Sequence, residues 1–515
     1  MGTHKFRLPP SDILTPPVEV RRGYLVGPDR TPIRTMIEVR PGQLLCHRDI
    51  TDSGRLQLPW PIPGHGLPVV GTATLSERAT PYDLVVELAR GRLNDLRNQI
   101  ADWSHHLGMS LSPDLRDMMR ESQRLFSQAA LAQDDPETSH RLAEASLIKS
   151  FEAGELATRA YARLLLDLRH QHQAKLPTLL GCQLDGDPQG QPWAAWLPRV
   201  VNAARVHADW NAVSPAEGQY LWNVLDAQME YARGHNLTIT AGPLIELRSP
   251  AWPDWLVEHQ NEPQTMLDIM LDWVRANLVR YRGKVAVWNL VSRIGSPDAL
   301  GLSEEEQIEV AARIVQTART VDPHAQLIVE FDRPWAESLG APSATHQYPP
   351  LHLGDYLARN ELGLSGIGLE IAVGYAPPGG LMRDLLEFSK LLDLYSLLNM
   401  PLHLTFAVPS AVSNLNDADT LVTSPAELAQ GFSTVAEGTV LDHHWPEPPT
   451  EATQRDFASD WVELAVSKPY VRSITWIAAS DASPCPYPAS GLFRADGSPK
   501  PIVEWLAQFR ANHLA

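Results

Sequence analysis

The sequence predicts an α/β protein: a (β/α)8 TIM barrel preceded by a small β-sandwich-like domain and a helical segment. Three observations carry this reading. From residue 176 to 515, eight short apolar runs alternate with helix-length segments, the count of a barrel of parallel strands. Residues 81–175 instead hold long stretches of helical periodicity. Residues 1–80 hold short β-like runs broken by Gly and Pro. The run VAVWNLVSR at 285–293 sets the pattern for the barrel. Val285, Ala286, Val287, Trp288, Leu290 and Val291 make it too apolar for a one-sided strand, so it reads as a strand buried on both faces. Its polar end, Asn289, Ser292 and Arg293, would then line the mouth formed by the carboxyl ends of the strands, where barrels place their chemistry.

Composition bounds the function classes. Across 515 residues, 43 Lys and Arg stand against 61 Asp and Glu, a net charge of −18. No basic run is present that could track a phosphate backbone, so nucleic acid is not an expected partner. Cys46, Cys182 and Cys485 lie far apart in no paired spacing and signal neither a disulfide framework nor a zinc site. No cofactor or metal is expected. The opening MGTHKFRLPPSDILTPP lacks an apolar core of signal-peptide length, and no run approaches the ~20 residues of a membrane span. The expectation is a cytoplasmic protein with no membrane partner.

In chain order, RTMIEV at 34–39 and the run at 43–46 are strand-like, divided by turns at Pro41-Gly42 and Gly64-His65-Gly66. The helical segment follows, with Leu84, Leu88, Leu93 and Leu96 near one face and a break at Asp134-Asp135-Pro136. Barrel strands are expected at about 179–185, 204–210, 237–245, 285–293, 326–332, 366–373, 401–408 and 472–479. Capping boxes at Ser303–Glu306 and Ser424–Glu427 mark helix starts.

Several barrel segments share, in order, the motifs of a known family. HADWNAVSPAEGQYLW at 207–222 is similar to M-K-W-x-x-x-x-P-x-x-G-x-F. TAGPLIELRSPAWPDWL is similar to G-H-x-L-V-W-H-x-x-x-P-x-W, with Trp255 at the last tryptophan. VWNLVSR stands where the family has W-D-V-V-N-E. SGIGLEIAVG, PLHLTFAV and SITWIAASD followed by GLFRADGSPKPIVEWL match its later strands and last helix. Together they resemble glycoside hydrolase family 10, the xylanase-type barrels, over roughly two thirds of the chain.

The resemblance implies a carbohydrate partner, a xylan-type poly- or oligosaccharide, and a retaining reaction. That reaction needs two carboxyl groups ~5 Å apart, one protonating the leaving oxygen and one attacking the anomeric carbon. The residues at the matching positions are Arg293 and Phe406, and neither SRIGS nor TFAVPS contains a carboxylate. Arginine cannot donate a proton near neutral pH and phenylalanine cannot form a glycosyl ester. The family's second-strand Glu-Asn pair matches Arg205 and Val206, and its sixth-strand histidine matches Ala372. The expectation is therefore a carbohydrate-associated barrel without the usual double displacement.

Candidate substrate-binding residues are Trp210, Trp288, Asn289, Trp335 and Trp476, although barrel packing explains Trp210, Trp288 and Trp476 more simply. Two rival readings stay open. Glu246, Asp332 and Glu370, from neighbouring strands, could form a displaced acid–base set, with Arg293 alternatively neutralising one of them, and Glu330 and Asp481 stand near the same mouth. The chain could also be a scaffold that recruits another protein. His443-His444 reads as a polar loop, because adjacent histidines point differently and rarely chelate one ion.

Overall fold

Each strand near the N-terminus is short and turn-bounded, as its Gly and Pro spacing dictates. The computed structural model describes residues 2–10, 17–27, 30–207, 209–248, 251–295, 299, 302–340, 347–360, 362–376, 379–412 and 438–515. Strands β1 (Gly2–Arg7), β2 (Tyr24–Val26), β3 (Pro32–Ile33), β4 (Met36–Arg40), β5 (Gln43–Arg48), β6 (Arg55–Pro59), β7 (Val69–Gly71) and β8 (Tyr82–Asp83) come first. They form two four-stranded sheets, ordered β4–β5–β1–β8 and β3–β2–β6–β7. Gly42, at φ 70°, supplies the left-handed turn between β4 and β5.

Three helices follow: α1 (Leu84–Leu107), α2 (Pro113–Leu131) and α3 (Pro136–His170). Asp83, Ser112 and Asp135 cap their N-termini through side-chain oxygens, and α2 and α3 open on proline, whose missing N–H costs nothing there. The break at Asp134-Asp135-Pro136 is thus a start signal for α3. The sheets and helices share one core. Phe6, Leu25, Leu44, Leu56 and Trp60 from the strands pack in one buried cluster with Leu84 and Leu88 of α1 and Leu147 and Phe151 of α3. Further along the same helices, Leu96, Trp103, Ala157 and Tyr161 belong to the main core of the barrel.

The barrel consists of β9 (Leu179–Leu184), β10 (Ala203–Val206), β11 (Thr238–Ala241), β12 (Ile245–Glu246), β13 (Val287–Ser292), β14 (Gln326–Phe331), β15 (Gly366–Ala372), β16 (Leu402–Ala407) and β17 (Val471–Trp476). All pairings are parallel, and the ring closes through β17–β9 and β11–β13. β12 is a two-residue addition alongside the end of β13, so the closed ring itself has eight strands. All six residues of β13 are buried, the signature of a strand covered on both faces. Helices including Pro263–Tyr281, Glu304–Val321, Leu385–Ser396 and Pro501–His513 form the outer layer. The Ser303–Glu306 capping box is present in full, whereas the expected box at 424–427 lies outside the described residues. Among the described residues no helix is long and apolar enough to cross a membrane.

The N-terminal part is docked on the barrel by buried polar contacts as well as by shared core. Lys468 Nζ, 1% exposed, donates to Tyr161 Oη at 3.0 Å and to Asp393 at 2.7 Å. Arg92 pairs with Asp384 out of solvent. Val69 N donates to the Met382 carbonyl at 2.9 Å, tying β7 to the loop after β15.

Candidate functional site

The carboxyl ends of β12 to β15 converge on Arg293. Its Nη2 donates to Glu370 Oε1 at 3.1 Å and Oε2 at 3.2 Å, and its Nη1 to Asp332 Oδ2 at 3.3 Å. Its Nε lies 2.8 Å from Glu246 Oε1. Two further arginines balance the cluster, Arg248 beside Glu246 at 3.2 Å and Arg333 beside Asp332 at 3.3 Å. Arg293, Asp332 and Glu370 are buried at 3%, 7% and 7% exposure. Burying these charges requires such mutual pairing, since an isolated ion in a low-dielectric interior is costly. Arg293 also holds φ at 60°, a left-handed conformation that costs a non-glycine residue about 1 to 3 kcal/mol and persists only where the surroundings fix it. The three carboxylates supply that fixation.

Glu370 and Asp332 sit in different electrostatic surroundings. Burial pushes the Glu370 carboxyl up to about 7 against the pull of Arg293, and Glu330 and Asp332 add to the rise. Burial also acts on Asp332, but Arg333 and Arg293 outweigh it and hold that carboxyl below its ordinary value. Tyr487 donates its hydroxyl to Glu370 Oε1. It lies in the proline-rich loop after β17, a setting with no periodic pattern to mark it, and sequence reasoning missed it. Asp185, just after β9, was also missed as a candidate, and burial pushes it up to about 7.

Beneath this layer lies a second polar one inside the barrel. Glu330 accepts from Thr405 Oγ1 at 2.5 Å and from Arg205 Nη2 at 3.4 Å, and Arg205 also donates to Thr405 at 2.7 Å. These contacts cross between β10, β14 and β16, so Thr405 faces inward. The next residue, Phe406, must face outward by the two-residue period of a strand. It packs against Phe388 of the helix Leu385–Ser396, ring centroids 6.0 Å apart, at 1% exposure. Phe406, which matches the family's nucleophile position in sequence, therefore faces the outer helices and not the barrel interior. Asp481 accepts from Lys500 Nζ at 2.7 Å and from Gly491 N at 2.9 Å, within the loop after β17.

The aromatic candidates divide into buried and accessible. Trp288, 1% exposed, lies between the barrel wall and the outer helices beside Leu225, Met229 and Trp273. Trp210, 5% exposed, stacks on Trp273 at 5.5 Å, and Trp476 donates its indole N–H to the Ser490 carbonyl at 2.5 Å. Trp335 is only half-buried and lines a cleft with Tyr24, Arg55, Arg383 and Lys390. Asn289 is buried at 3% exposure, opposite Ile328 in register, and neither atom of its amide has a hydrogen-bond partner among the described residues.

The profile of Glycosyl hydrolase family 10 matches residues 203–332, from the start of β10 to Asp332. Endo-1,4-beta-xylanase 3 of Hypocrea jecorina (strain QM6a) is 28% identical over 152 residues, covering 26% of this chain and 42% of the relative. Endo-1,4-beta-xylanase 2 of Claviceps purpurea is 26% identical over 143 residues, with 26% and 42% covered. The chain thus spans less than half the length of these curated relatives. Xylanase 10B from Thermotoga maritima superposes with a TM-score of 0.48 at 14% identity, covering 65% of this chain and 96% of that one. The closed ring of eight parallel strands, with the family profile running through four of its strands, the added β12, and Arg205, Glu246, Arg293 and Asp332, identifies a glycosyl hydrolase family 10-like (β/α)8 fold.

Proposed function

We propose that this chain is a carbohydrate-binding barrel that does not run the two-carboxylate retaining reaction. One observation carries the reading. The carboxylates Glu246, Asp332 and Glu370 all contact the single guanidinium of Arg293, and a carboxylate held in such a pair is a poor nucleophile and a poor proton donor. The carbohydrate assignment is supported by the family likeness and by the half-buried Trp335, whose ring lines a cleft. An exposed aromatic face suits a sugar, which carries C–H groups on one face.

The test is calorimetric titration with xylo- and gluco-oligosaccharides beside an assay with aryl glycosides and polysaccharides. Binding heat without product release is expected. Silence across the titration panel would favour a scaffold instead.

A second reading is favoured by the opposite displacement of two carboxyls. Glu370, held up near neutrality by burial, and Asp332, held low chiefly because its two arginines outweigh its burial, are matched as a general acid and a base. Product release from the wild type that disappears in Glu370→Gln would establish this reading in place of the first.

A further inference from the structure

Far along the chain from the barrel mouth residues, two adjacent histidines meet a glutamate from the N-terminal module. His443 Nε2 lies 2.6 Å from Glu19 Oε1, and His444 Nε2 lies 3.9 Å from the same oxygen. Glu19 belongs to the short 3-10 turn Val18–Arg22 and the histidines to a second one, Asp442–His444. Their ring centroids are only 4.6 Å apart, with planes at 82°. The two rings point differently, His443 half exposed and His444 buried, yet each brings a nitrogen toward the same Glu19 oxygen. The backbone beneath them is clamped from outside: Leu67 N donates to the His444 carbonyl at 2.9 Å. Gly66, at φ 74°, approaches so closely that a Cβ there would lie 2.3 Å from that oxygen.

The decisive feature is His444. It is 0% exposed, and neither ring nitrogen has a hydrogen-bond partner among the described residues. An imidazole buried with its donor and acceptor unanswered forfeits its hydration without recompense, so such a group calls for an occupant. The donor atoms of Glu19, His443 and His444 all lie within 4.8 Å of one another. Arg22 brings a like charge into the neighbourhood, but Glu337 and Glu19 both face it.

We propose that Glu19, His443 and His444 bind one zinc-type divalent cation, which staples the N-terminal module to the barrel across 424 residues of sequence. Two imidazoles and a carboxylate are the donor set that suits zinc better than a hard cation such as magnesium. His443 is half exposed, which leaves a fourth position open to water from that side. The ion would satisfy a buried His444 nitrogen and neutralise Glu19 at once. Because its ligands come from both parts of the chain, its binding energy opposes their separation.

The experiment uses the full chain without an affinity tag, loaded with zinc, dialysed, and analysed by elemental mass spectrometry alongside thermal melting. One zinc per chain is expected, with a melting temperature that falls on chelation and recovers with zinc. His443→Ala and Glu19→Gln should each lose more than about 100-fold in zinc affinity, beyond the roughly 10- to 100-fold that changing an outer-shell partner costs. The half-exposed His443 makes the first of these variants a test that does not open the core. The exposed pair His105 and His106 on α1 provides the control, since replacing both with alanine should leave the stoichiometry unchanged. Cobalt(II) loaded in place of zinc should give the strong visible absorption of a four-coordinate site and lose it in His443→Ala. Wild-type protein that retains no zinc, or zinc retention that survives in both site variants, would overturn the proposal.

Discussion

One nitrogen of Arg293 donates to both carboxylate oxygens of Glu370, at 3.1 and 3.2 Å, in a setting where both residues are buried. The pair is the centre of a cluster of alternating charge at the end of the barrel. Its removal from one side exposes how strongly the remaining charges depend on it.

Arg293→Met keeps an unbranched apolar stem but strips the counter-ion from Glu246, Asp332 and Glu370. Breaking a buried pair from one side costs about 3 to 5 kcal/mol, and that loss is expected in urea denaturation at pH 8. Carboxylates left without a cation take up protons more readily in the folded state. The deficit should therefore shrink when the denaturation is repeated at pH 5; a deficit independent of pH would mean the cation was not holding ionised partners.

Glu370 itself should impose a pH dependence on the wild type. Its folded carboxyl is raised to about 7, above the unfolded value of 4.5. Between those values the folded state binds the extra proton, so stability declines as pH rises through this window, by at most about 1.4 kcal/mol per pH unit. Glu370→Gln removes the titration, and the slope between pH 4.5 and 7 should flatten in paired denaturation series.

Asp384 has two roles that different substitutions separate. Its side chain accepts from Glu387 N at 3.0 Å, capping the helix Leu385–Ser396, and it pairs with the buried Arg92 of α1. Asp384→Asn keeps an effective cap and loses only the charge, which is expected to cost about 3 to 5 kcal/mol by leaving Arg92 unpaired. Asp384→Ala should cost about 1 kcal/mol more for the cap. Equal losses in the two variants would show that the cap contributes nothing.

Phe406→Glu, alone or with Arg293→Glu, is expected to confer no glycosidase activity. The side chain at 406 points toward Phe388 and away from the barrel interior, so a carboxylate there is buried among apolar groups. Phe406→Ala should destabilise by about 3 to 5 kcal/mol through the cavity it leaves, measured by thermal or urea unfolding. Oligosaccharide titration of that variant should match the wild type, since the change lies behind the barrel wall.

The barrel was legible in the sequence because its determinants are local and periodic. Apolar runs such as 287–292 read as strands buried on both faces, and caps such as Ser303 and Asp135 read as helix starts, each within a few residues of chain. The short strands and turns of the N-terminal region were legible for the same reason. Tertiary structure alone decided that the two N-terminal parts share a core, because Phe6 and Phe151 meet only when sheet and helix pack. It also decided where side chains point: a one-residue difference in the inward set of β16 places Thr405 in the barrel and Phe406 outside it, and motif spacing does not carry that phase. Arg293, Glu246, Asp332 and Glu370 were individually visible in the sequence. That one guanidinium would gather all three acids, with Tyr487 arriving from a loop 194 residues away, depends on closing the ring, a long-range event to which no local pattern responds.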